Sequence, residues 1–86
     1  MDVSLTATHA KSAEWKEALA RQYGLTPRES EVCQWLLAGK SLLEVADIIG
    51  NRLPTVKHQT ASIYRKFGVA TRAQLLAMAL TDITNR

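Results

Sequence analysis

Apolar side chains recur along this chain at intervals of three and four residues, in five short segments separated by glycines. That spacing places them on one face of a helix. Trp15, Leu19 and Tyr23 stand at i, i+4 and i+8 and predict a first helix over Ser12–Tyr23, with Ser12 as N-cap and Gly24 as its stop. Val32, Trp35 and Leu36 give the inward face of a second helix, ended by Gly39. Val45, Ala46, Ile48 and Ile49 give that of a third, ended by Gly50. Val56, Thr60, Ile63 and Phe67 form the inward stripe of a fourth, over Pro54–Phe67 and ended by Gly68. The fifth, about Arg72–Leu80, is apolar on more than one side: Leu75 and Ala79 form one row, Leu76 and Leu80 another, with Met78 between them.

Polar residues mark where the helices begin. Thr26-Pro-Arg-Glu29 can close a reciprocal cap in which Thr26 serves the N3 amide and Glu29 reaches back, with Pro27 suited to the first helical position. Ser41-Leu-Leu-Glu44 repeats the device, and Thr71-Arg-Ala-Gln74 offers a third, related start. The link between the third and fourth helices is very short, Asn51–Arg52 before Leu53 and Pro54. Two helices joined by a tight, glycine-containing turn predict a helix-turn-helix. Met1–Lys11 has no sustained period and is expected to be a tail. His9 lies in it without a second ligand at metal spacing, so no metal site is predicted.

The charges sharpen the picture. Residues 1–47 hold seven acids and five bases, whereas residues 48–86 hold six bases and one acid, and no acid occurs between Asp47 and Asp82. On the fourth helix Lys57, Ala61 and Arg65 make an outward stripe, flanked by His58 and Ser62. Cations beside small side chains let a helix approach a polyanion closely and neutralise its phosphates. With 86 residues and 47% apolar composition, the chain is one domain with a small core. The single cysteine, Cys33, falls among apolar residues and reads as a structural thiol in a reducing compartment. No apolar run reaches the roughly 20 residues that span a bilayer, and no signal pattern opens the chain. The expectation is a soluble cytoplasmic protein without membrane association.

Taken together, Leu25-Thr-Pro-Arg-Glu29, Glu31-Val32, Gly39-Lys-Ser41, Glu44-Val-Ala46, Gly50, Thr55-Val-Lys57, Ile63, Arg65-Lys-Phe-Gly-Val69 and Arg72 resemble the LuxR/FixJ/GerE-type DNA-binding domain of bacterial transcription regulators. The resemblance covers about residues 25–81. It implies an all-α, four-helix domain, here preceded by one extra N-terminal helix: a tail over residues 1–11, a helix over 12–24 and the LuxR-type domain over 25–86. It further implies that Thr55 contacts phosphate and that Lys57 and His58 reach base edges, with Ala61 at a third base-reading position. Gln59, where a His is frequent in the family, would touch the backbone, and Arg65 and Lys66 would support phosphate binding. Arg52 and Ser62 complete the expected DNA-binding set. The surplus apolar side of the last helix, Leu75, Leu76, Met78, Ala79 and Leu80, matches the helix through which the family commonly dimerises.

Two departures stand out. Asn51 replaces an apolar residue after the turn glycine, and Arg52 replaces a serine cap; Leu53 is expected to take over the packing. With Ala61 short, direct readout rests on Lys57 and His58, so dimerisation gains importance. Many family members carry a receiver or ligand-binding domain ahead of this module, and neither fits in the roughly 24 residues before Leu25. The expectation is either a small stand-alone regulator or the C-terminal module of something longer.

The function expected is a sequence-specific DNA-binding transcription regulator acting as a homodimer on an inverted repeat, with double-stranded DNA as partner. RNA polymerase or a related regulator is a further candidate partner. The alternative is a protein-interaction module that forms mixed dimers with a related regulator. No enzyme is expected and no cofactor is implied: the chain shows no nucleophile with a supported base, no glycine-rich phosphate loop and no metal-ligand spacing.

Overall fold

A computed structural model describes residues 14–84. The expected tail, with His9, and the Ser12 cap lie outside the described residues. Those residues form five α-helices: α1 (14–23), α2 (Pro27–Leu37), α3 (Leu42–Ile49), α4 (Leu53–Phe67) and α5 (Arg72–Thr84).

The starts of α2 and α3 are both closed by reciprocal caps. The Thr26 hydroxyl accepts from the Glu29 amide at 3.1 Å, and the Thr26 amide donates to the Glu29 carboxylate at 2.9 Å. Ser41 and Glu44 make the same pair at 3.1 and 2.8 Å. Each cap satisfies amides that lack partners at a helix start and places a carboxylate at the positive end of the helix dipole. At α5 the neutral Gln74 carboxamide satisfies amides in the same way, accepting from the Ala70 and Thr71 amides at 2.7 and 3.2 Å, but adds no charge. The start of α4 is different: Arg52 is the N-cap residue and makes no side-chain cap bond.

Gly50 and Gly68 turn the chain out of α3 and α4 in left-handed backbone conformation, both at φ 72° and ψ 33°. A Cβ at either would meet nothing within 4 Å, so the reason for glycine is backbone conformation rather than space.

The predicted inward stripe of α4 is the centre of the core. Val56 and Ile63 are fully buried and Phe67 nearly so, while the Thr60 hydroxyl is spent on the Val56 carbonyl at 2.8 Å. Helix α4 packs against α2, α3 and α5. Val32, Cys33 and Leu36 of α2, Val45 and Ala46 of α3, and Leu75 and Ala79 of α5 close around it. Burial pushes the Cys33 thiol up to about 11, which suits a side chain used for packing.

Three positions correct the periodicity. Ile48, assigned to the apolar side of α3, is 46% exposed. An eight-residue helix covered mainly by α2 and α4 buries Val45 and Ala46 and leaves the next apolar position in solvent. Leu75 and Ala79, expected in a dimer face, are 0% and 1% exposed and belong to the core. Of the five residues expected in that face, Leu76, Met78 and Leu80 are exposed.

The structure also decides where α1 goes. Leu19 is 1% exposed, and Trp15 and Tyr23 pack against the same core. The Tyr23 ring stacks on Phe67 of α4 with centroids 4.0 Å apart, and its hydroxyl donates to the Asp82 carboxylate on α5. Lys16 donates to Gln34 of α2 at 2.8 Å. Helix α1 is therefore part of the domain.

Candidate nucleic-acid interface

The outward side of α4 begins at Arg52, whose side chain is exposed and makes no cap bond. The first turn of α4 contains no acid, so nothing there cancels the positive end of the helix dipole. Thr55, Lys57, His58, Ala61 and Arg65 follow, all exposed. Lys57 and Arg65 take part in no salt bridge among the described residues. Their charges are uncompensated by any carboxylate on α4, and Ala61 between them adds little bulk. This surface suits close approach of a phosphate backbone and insertion of the helix into a groove about 12 Å wide.

Three expected contact residues have other environments. Ser62 is not on the outward face: it is 8% exposed, and its hydroxyl donates to the Glu29 carboxylate at 2.6 Å. Position 62 lies one residue before the fully buried Ile63, on the shoulder of α4 that α2 covers. Lys66 has its ammonium committed inward, to Glu29 at 2.7 Å and to the Gly24 carbonyl at 3.0 Å. Gln59 is half-buried, and its Oε1 is enclosed without a hydrogen-bond partner. The amide nitrogen is its donor for any anion.

Glu29 is the residue that organises this shoulder. Burial alone would raise its carboxyl, but bonds from the Lys66 ammonium, the Ser62 hydroxyl and the Thr26 amide outweigh that and hold it at about 2. One carboxylate thus caps α2 and ties its N-terminus to two successive turns of α4. A capping box was legible from Thr26 and Glu29. Its second role was not, because the partners lie 33 and 37 positions away.

The helix-turn-helix is formed by α3, the Gly50–Arg52 turn and α4, which pack against each other. Residues 23–79 match the family model for bacterial regulatory proteins of the luxR family. The chain belongs to this family. Its relatives are similar over the same region. "Transcriptional activator protein YukR" of Yersinia ruckeri is 38% identical over 65% of this chain and 24% of the relative. "HTH-type quorum sensing-dependent transcriptional regulator RpaR" of Rhodopseudomonas palustris is 39% identical over 71% of this chain and 25% of the relative. "Transcriptional activator protein TraR" of Rhizobium radiobacter is 28% identical over 87% of this chain and 28% of the relative. The chain therefore spans about a quarter of the length of these luxR-family relatives. No solved structure matches it. As a luxR-family domain it is all-α, and none of its described helices is long and apolar enough to cross a membrane.

Proposed function

We propose that this luxR-family domain is a sequence-specific DNA-binding transcription regulator that lays α4 in the major groove. The observation that carries the reading is the exposed face of α4, where Lys57 and Arg65 flank Ala61 with no carboxylate partner among the described residues. In this reading Lys57 and His58 meet base edges. Thr55, Arg65, Arg52 and the Gln59 amide fix the register on phosphates. Lys66 and Ser62 contribute indirectly, by holding α4 against α2 through Glu29.

Homodimerisation on an inverted repeat is supported by α5, where Leu76, Met78 and Leu80 are 40%, 37% and 54% exposed. Leu76 and Leu80, one turn apart on the same row, leave large apolar side chains in water that favour a covered state, with Met78 on the opposite flank of the helix. With few base-reading side chains on each α4, two copies would double the discrimination. The cytoplasm, where the DNA is, is the compartment that fits this activity. Neither face calls for a cofactor.

The test is selection from fragmented genomic DNA with the purified protein at about 150 mM salt, where purely electrostatic binding is weak. The expected product is an inverted repeat with half-sites about one helical turn apart. Lys57→Ala should cut specific affinity far more than Lys40→Ala, and equal losses would count against α4 as the reading helix. The exposed α5 residues also favour a second reading, a module that forms mixed dimers with a related regulator. Absence of any enriched sequence, together with a stoichiometric heterodimer, would favour it.

A further inference from the structure

The outward face of α3 carries a pattern that DNA binding does not use. Leu43, Glu44, Asp47 and Ile48 stand at i, i+1, i+4 and i+5, on one side of the helix, and all four are exposed. Leu43 is 67% exposed, more than any other large apolar residue described, and Ile48 is 46% exposed. Leu43 also borders an open groove of about 450 Å³ between α3 and the start of α4. Ala46 and Leu53 supply apolar wall there, and Glu44, Asp47 and Asn51 supply polar rim. Asn51 is the position where this chain departs from the apolar residue frequent after the turn glycine.

The charge of this patch selects its occupant. Neither Glu44 nor Asp47 is in a salt bridge among the described residues; the Glu44 carboxylate accepts from the Ser41 amide, and the Lys40 charge acts on it without forming an ion pair. Two carboxylates beside the groove repel phosphate, which argues against DNA and against an anionic lipid surface. A second copy of this chain would offer the exposed row of its α5, Leu76 and Leu80, which carries a single cation, Arg72, against the two acids here, and that row is the one assigned above to homodimerisation. The complementary surface is a helix with apolar side chains at i and i+3 or i+4 and Lys or Arg beside them.

We infer that the α3 face and its groove dock a basic amphipathic helix of a different protein. An apolar anchor of that helix enters between Leu43, Ala46 and Leu53, and its cations meet Glu44 and Asp47. Contacts of this kind draw most of their affinity from the anchor and most of their discrimination from the charges. The groove adjoins the start of α4 at Asn51 and Leu53 but uses none of Lys57, His58 and Arg65, so the inference does not depend on the residues that carry the DNA reading.

The test uses the full chain, ¹⁵N-labelled, titrated in 150 mM salt with a synthetic Leu/Lys amphipathic helix and, separately, with its Leu/Glu counterpart. The expected result is saturable binding of the Leu/Lys peptide alone, with amide shifts centred on α3 and the start of α4. Leu43→Ser should weaken that binding at least tenfold without altering the spectrum of the free protein, because the side chain packs against little. Asp47→Lys should reverse the preference toward the Leu/Glu peptide. No binding, equal binding of both peptides, shifts centred on α5 or α1, or insensitivity to both substitutions would overturn the inference.

Discussion

The hydroxyl of Ser62, in the middle of α4, donates at 2.6 Å to the carboxylate of Glu29, in the first turn of α2. The same carboxylate takes the Lys66 ammonium at 2.7 Å and the Thr26 amide at 2.9 Å. Helix α4 is thus positioned by a polar clamp on one shoulder as well as by its apolar stripe. Glu29→Gln keeps the cap, since Gln also suits N3, but loses the charge that faces Lys66. We expect a loss of about 1–2 kcal/mol, and a larger one, about 2–4 kcal/mol, for Glu29→Ala. Urea denaturation of the three proteins measures this, and equal losses for both variants would mean that the charge facing Lys66 alone matters and the cap contributes nothing.

The clamp makes stability depend on acid. The Glu29 carboxyl is held at about 2 in the fold and has an ordinary value of 4.5 when unpaired. A depressed folded value stabilises the fold above the unfolded value, and that contribution disappears as pH falls from 4.5 toward 2. The full shift would correspond to about 3 kcal/mol, and solvent around the one-third-exposed Lys66 side chain screens it to roughly 1–2 kcal/mol. Glu44 is lowered by its bonds with Ser41 and adds in the same direction. Denaturation curves from pH 7 to pH 2.5 should show stability falling below about pH 4.5, and Glu29→Gln should flatten part of that slope.

Tyr23 joins three helices, through its ring on Phe67 and its hydroxyl on Asp82. Tyr23→Phe keeps the stack and should cost about 1 kcal/mol, the usual worth of one hydrogen bond. Tyr23→Ala also removes the ring and should cost about 3 kcal/mol. Thermal unfolding distinguishes them. If Tyr23→Ala behaved like Tyr23→Phe, the docking of α1 would not depend on the ring.

Gly50 holds a left-handed backbone conformation in open space, so Gly50→Ala meets no steric clash and only the conformational penalty remains. That penalty is about 1–2 kcal/mol, and each 1 kcal/mol lowers the melting temperature of a domain this size by roughly 4–8 °C. A change below 2 °C would show that the turn relaxes at no cost.

Lys57 and Lys66 should separate in salt dependence. Each phosphate contact contributes close to one unit to the slope of log affinity against log salt. Lys57→Ala should reduce that slope by about one with little change in stability. Lys66→Ala should lower stability first and change the slope by less than half as much, because its ammonium is bound to Glu29 and the Gly24 carbonyl. Equal slope changes would place Lys66 on the DNA as well.

Much of this protein was legible from its residues in order, because the interactions that made it so are local. The capping boxes at Thr26–Glu29 and Ser41–Glu44 join residues three apart, and the stripe Val56, Thr60, Ile63 and Phe67 follows from helical period alone. The exposed row of Lys57, Ala61 and Arg65 was determined in the same way, as the opposite side of that stripe. Tertiary structure decided what periodicity leaves open: which shoulder of a helix a neighbour covers, and how many residues a small core can hide. Ser62 and Lys66 turned to Glu29 because α2 lies there, and Leu75 and Ala79 went into the core while Leu76 and Leu80 did not. Helix α1 docked on its own domain because Phe67 and Asp82, far away in sequence, present a ring and a carboxylate to Tyr23. A helix's own pattern sets its apolar direction, but the burial of each flanking residue depends on partners that only the folded chain brings within reach.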